Sequence, residues 1–129
     1  LGNQDIERIA IDHVIALERA DGREPVDVST KGYRYDIDSP PRKIEVKAFS
    51  GSARGQSIPL EERQLAEAVE DPENFYLYVV DHVGRSEAGM GVRVLHGDAL
   101  CALLDRAKPS RTYWSTFRVA EYDTAERLQ

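Results

Sequence analysis

Asp36, Glu45 and Lys47 are the residues whose types and spacing carry the most chemistry in this chain. They lie in the stretch 33–48, YRYDIDSPPRKIEVKA, where Ser39-Pro40-Pro41-Arg42 reverses the chain because two prolines cannot continue a strand ladder. With those four residues as the loop, Asp38 faces Lys43, Asp36 faces Glu45 and Arg34 faces Lys47. The pleat then puts Tyr33, Tyr35, Ile37, Ile44, Val46 and Ala48 on one face. Arg34, Asp36, Asp38, Lys43, Glu45 and Lys47 take the other. Facing carboxylates with Cβ atoms about 5 Å apart cost a hairpin stability. A hard divalent cation would compensate, with Lys47 in reach of a bound phosphate or water. The alternative is a solvated face on which a diagonal Asp36–Lys47 pair offsets the clash.

The elements that must position these groups follow from periodicity. Residues 4–20 read as a helix, with Ile6, Ile9, Ala10, Val14 and Leu17 at helical spacing, Asn3 or Asp5 as cap and Asp21-Gly22 as stop. Glu7, Asp12, His13 and Glu18 on that helix read first as solvated side chains. Residues 24–29 form a short strand, and the hairpin continues it as a meander. Residues 49–57 are a glycine- and serine-rich loop around Arg54, either a plain connector or a flap whose amides and arginine meet a phosphate backbone. Pro59 suits the first turn of a second helix over 59–70, with Leu65, Ala68 and Val69 as its buried stripe and Gln64 at the edge. Residues 75–83 are apolar enough for a strand buried on both faces.

Residues 90–95 extend the sheet, and 98–107 form a helix whose stripe is Leu100, Leu103, Leu104 and Ala107, with Cys101 as a buried thiol. Residues 113–122 read as a last strand with packing aromatics, ahead of a polar tail. The chain carries no internal repeat, glycine-rich phosphate loop, zinc spacing or serine nucleophile elbow.

The order of these motifs resembles a known family. Gly32-Tyr33-Arg34-Tyr35-Asp36-Ile37, then Ile44-Glu45-Val46-Lys47, then Gln64-Leu65 with Ala68, then Tyr76-Leu77-Tyr78-Val79-Val80 is similar to DUF3883, the NO VEIN C-terminal domain, over roughly residues 5–83. That family resembles a branch of the PD-(D/E)xK nucleases. The resemblance implies an α/β, restriction-endonuclease-like mixed β-sheet: helix, three-stranded meander, helix, strand, here with a C-terminal strand-helix-strand extension. It implies catalytic Asp36, Glu45, Lys47 and Gln64, with Mg²⁺ or Mn²⁺ held by Asp36, Glu45 and the Val46 carbonyl. The chain departs from the family pattern at Ile11, where the first helix often carries an acid, leaving Glu7 or Asp12 to supply it.

Composition narrows the partners. A chain of 129 residues is one domain by length, and Leu1 in place of an initiator methionine points to a piece of a longer protein with other domains. One cysteine allows no internal disulfide and fits a reducing cytoplasm. No apolar run has the length of a membrane span. The net charge of −6 opposes bulk attraction to nucleic acid, yet residues 29–58 hold six basic and three acidic side chains, a local +3. Lys31, Arg34, Lys43 and Arg54 are therefore the expected phosphate contacts, with DNA the favoured partner and RNA the lesser one. The family resemblance implies metal-assisted phosphodiester hydrolysis as the activity. A catalytically silent nucleic-acid-binding module and a protein-interaction domain of a helicase or ATPase assembly are the rival readings.

Overall fold

The computed structural model describes residues 1–129, apart from the side chain of Glu87. Five strands form one mixed sheet in sequence order: β1 (Val26–Asp27), β2 (Ile37–Ser39), β3 (Arg42–Ala48), β4 (Phe75–Asp81) and β5 (Gly91–Leu95). β1, β2 and β3 are the expected antiparallel meander, β3 and β4 are parallel, and β5 returns antiparallel to β4. The parallel step needs a crossover, and α2 (Glu62–Glu70) lies within it.

Alternation along the strands separates two cores. Ile44 and Val46 of β3, with Tyr78 and Val80 of β4, pack against Ala10, Ile11 and Val14 of α1 (Asn3–Ala20). Phe75 and Leu77 pack with Ala68 of α2 and Leu100 of α3 (Gly97–Asp105) on the other face. The buried stripe of α1 runs through Ile11 rather than Leu17, which is 41 % exposed.

Across the first core runs a polar network that periodicity does not announce. Glu18, 2 % exposed, accepts from Arg23 Nε at 2.7 Å, from Arg23 Nη2 at 2.8 Å and from the Tyr78 hydroxyl at 2.8 Å. Arg42 Nη1 in turn donates to that hydroxyl at 2.6 Å. Burial alone would raise the Glu18 pKa, but the hydrogen bonds from Arg23 and Tyr78 lower it below the ordinary value. Burial and the Glu18 charge push the Tyr78 phenol up to about 12. The network ties the end of α1 to β3 and β4. Tyr78→Phe is expected to destabilise the fold by about 1–3 kcal/mol, since Glu18 and Arg42 each lose a buried partner. Urea unfolding midpoints at constant m-value check it.

Several expectations need correction. β2 is three residues long, and residues 33–36 bend away from the pleat, so Tyr35 packs with the α2–α3 core instead of sharing the face of Ile37. Pro59 precedes α2, whose N-cap is Glu61; there the Gln64 side chain accepts from the Glu61 N–H at 2.9 Å. Cys101 is exposed, because α3 buries Leu100 and half-buries Leu103 and Leu104. Residues 113–118 join no strand, and α4 (Val119–Thr124) follows them. Aromatics favour a half-buried pleated surface, but this segment has no sheet edge beside it. Tyr113 and Trp114 are accordingly exposed.

Candidate active site around Asp36 and Glu45

Asp36 stands just before β2, where the ladder changes. The pairs Ile37↔Ile44 and Asp38↔Lys43 keep the expected register, but the Asp36 N–H donates to the Ile44 carbonyl at 2.9 Å. The Asp36 carboxylate then takes the place of a backbone acceptor, with Oδ2 receiving the Val46 N–H at 2.9 Å. A side chain thus continues the ladder of β3 and is fixed by it.

Glu45 points to the α2 face of β3. Its Oε2 accepts from Gln64 Nε2 at 3.1 Å and pairs with Lys47 Nζ at 3.1 Å, while Lys47 Nζ lies 3.4 Å from Gln64 Oε1. Gln64 is held in turn by its capping bond to Glu61, so the start of α2 sets the orientation of the Glu45–Lys47 pair. Glu45 Oε1 is buried without a fixed donor, and the group left to partner Glu45 is the Asp36 carboxyl, through a shared proton.

The electrostatics follow from burial and like charge. Burial first, and the Asp36 charge second, push the Glu45 carboxyl up to about 8, against the partial relief of Lys47. Burial raises Asp36 as well, opposed by the Val46 N–H. The two carboxyls therefore titrate as a pair that retains a proton near neutrality. A hard divalent cation would replace that proton and bind Oε1. Among the described residues no three His, Cys, Asp or Glu side chains converge. The donor set available is thus two carboxylates and a peptide carbonyl, which fits Mg²⁺ or Mn²⁺ completed by water and substrate oxygens.

The family model described as "Protein NO VEIN, C-terminal" matches residues 6–94. The chain belongs to that family. The NO VEIN C-terminal match runs from α1 into β5, so it contains the sheet but for its last residue, Leu95, together with α2 and every group of the site. Neither curated proteins nor solved structures gave a match.

Within this NO VEIN C-terminal domain the site forms a cavity of about 420 Å³, lined by Asp36, Glu45, Lys47 and Gln64 together with Glu7 and Ile11 of α1. Of the two acids considered as substitutes at the Ile11 position, Glu7 lines the cavity without converging on the carboxylate pair, and Asp12 pairs with Arg8 at 2.9 Å. The four expected phosphate contacts are placed differently. Lys43 pairs with Glu67 at 2.6 Å and Asp71 at 2.9 Å, and Arg34 pairs with Glu70 at 2.9 Å, which ties both to α2. Lys31 is exposed in the turn after β1, and Arg54 lines a neighbouring cleft. Arg63 is the basic residue the periodicity reading passed over: it lines the cavity and donates to the Tyr33 carbonyl at 3.3 Å. Its position next to Gln64 was the available signal.

A pH dependence follows from the raised Glu45. Between the unfolded value near 4.5 and the folded value of about 8, the native carboxyl keeps a proton that the unfolded chain has released. Stability of the metal-free protein should therefore fall as pH rises through that window, by at most about 5 kcal/mol. Glu45→Gln should flatten the decline in urea midpoints measured across it.

Proposed function

We propose that this domain is a metal-dependent phosphodiester hydrolase of the PD-(D/E)xK type, acting on nucleic acid and on DNA by preference. The observation that carries the reading is Glu45: buried, its pKa raised, paired with Lys47 and Gln64 through one oxygen, and without a fixed donor at the other beside Asp36. Most buried carboxylates of purely structural role have their oxygens satisfied.

Asp36, Glu45 and the Val46 carbonyl would hold Mg²⁺ or Mn²⁺, which when bound supplies positive charge and a more acidic water. Lys47, held by Glu45 and Gln64, orients the attacking water and donates to the phosphate oxygen on which charge grows. Water adds across the P–O ester bond, leaving a phosphate monoester and an alcohol. Gln64 fixes the rotamer of Glu45, and Arg63 and Arg54 are the exposed cations nearest a passing phosphate backbone. Lys31 extends that contact at the β1 end, whereas Arg34 and Lys43, paired with Glu67, Glu70 and Asp71, leave no net positive charge there.

The domain would work inside a larger defence or DNA-processing protein, in a reducing cytoplasm suited to its exposed, lone Cys101. No described helix is long and apolar enough to cross a membrane. A binding module without catalysis is the second reading, favoured by the apolar Ile11 in the wall of the site. Single-turnover incubation of labelled duplex and single-stranded DNA with Mg²⁺ or Mn²⁺ decides between them. Cleavage that Glu45→Gln abolishes supports the hydrolase, and tight binding with no cleavage supports the module.

A further inference from the structure

Next to the carboxylate site, on the same face of the sheet, lies a second and larger cleft of about 1190 Å³. Its placement follows from register. Lys47 pairs with Val79, and Val79 pairs with Arg93, so the floor of the cleft begins one strand, about 4.8 Å, from the site. The wall between the two cavities is the segment 58–61. Ile58 and Leu60 line the cleft, while Pro59 and Glu61 line the carboxylate site.

The cleft has three kinds of surface. Leu77, Val79, Leu95, Leu103 and Leu104 make an apolar bed. Arg54, Arg93, Arg106 and Lys108 supply cations around it. At the end of β4 stands Asp81, 5 % exposed, whose Oδ2 accepts the Ala53 N–H at 2.7 Å and whose Oδ1 is buried without a partner. Asp81 lines the cleft, and a buried acceptor without a donor is costly unless a ligand supplies one. A flat apolar body, one N–H donor and an adjoining anion together describe a nucleotide.

We propose that this cleft receives a nucleobase bearing an exocyclic amino group, turned out of the strand that crosses the Asp36–Glu45 site, with Asp81 Oδ1 accepting its amino hydrogen. The source of the base rests on the phosphodiester-hydrolase reading; the chemistry of the cleft does not. Arg93 and Arg54 meet the phosphates on either side, and the leucines replace the stacking that the base gives up. The cleft thereby favours adenine, cytosine or guanine over thymine, whose single ring N–H lies between two carbonyl oxygens that the carboxylate repels.

The test uses Glu45→Gln protein without metal, so that binding is read apart from cleavage. Short homopolymeric DNA strands are titrated, and dA and dC strands are expected to bind about tenfold tighter than dT. Asp81→Asn keeps an acceptor for Ala53 and turns an amide donor toward the cleft, which should cancel or reverse the preference. Leu103→Trp, from a half-buried helix position, fills the bed and should abolish the preference while dT binding stays, so the inference stays testable if Asp81→Asn does not fold. Equal affinity for the three strands overturns it, as does absence of binding by a folded protein. A cleft that binds free AMP and CMP with no strand preference also overturns it, in favour of a small-nucleotide site. Metal-dependent cleavage by the unaltered chain is scored separately, so either reading can fail alone.

Discussion

Lys47→Ala is expected to slow single-turnover cleavage by about 10²–10⁴-fold while leaving affinity for the strand within a few-fold. Lys47 is largely enclosed, and its ammonium is held between Glu45 and Gln64, so its best interaction is made only as charge develops on the phosphate. Arg54→Ala should fail in the opposite way. Arg54 is exposed on the loop after β3 and lines the neighbouring cleft, where it can neutralise a phosphate but not reach the carboxylate pair. Its loss should weaken binding modestly for all sequences and flatten the salt dependence by about one counterion, with the bound rate nearly intact. Equal losses of rate and affinity in both variants would remove the division of labour between the two sites.

The second large effect is thermal. Mg²⁺ or Mn²⁺ at about 100-fold over its dissociation constant should stabilise the native chain by about 2.7 kcal/mol, a rise of roughly 10 °C in melting temperature. The gain comes from replacing the trapped proton and satisfying Glu45 Oε1. Asp36→Asn and Glu45→Gln should each abolish the metal response and raise the metal-free melting temperature at neutral pH, because the amide at 45 needs no trapped proton to be buried uncharged and the amide at 36 removes the charge that raises Glu45. A shift that survives both substitutions would put the cation elsewhere.

Much of this site was legible because strand chemistry is strict. The two prolines fixed a reversal, the reversal fixed the Asp38↔Lys43 register, and the pleat put Glu45 and Lys47 on one face. Gln64 was placed through the family pattern, and the structure adds the reason for its precision, a capping bond to Glu61. What the sequence concealed depends on tertiary partners. A bend at 33–36 took Tyr35 to the opposite face, and α2 carboxylates claimed Lys43 and Arg34. Glu18 looked like a surface residue of α1, since nothing local reveals that Tyr78, sixty positions on, donates to it. Asp81 reads as one charge in an apolar strand; only the approach of Ala53 and the open cleft beside it set it apart. The aromatics of 113–122 have strand propensity, but Tyr113 and Trp114 are adjacent rather than alternating, and the segment forms no strand.

The central claim is that Asp36 and Glu45 hold a divalent cation for hydrolysis, and a Mn²⁺-soaked crystal with anomalous diffraction tests it most directly. The account predicts a single anomalous peak within bonding distance, about 2.2 Å, of Glu45 Oε1 and of an Asp36 oxygen, lost in Glu45→Gln. A soaked crystal with the proton-sharing pair intact and the peak absent from this cavity, or centred on another carboxylate, would contradict it.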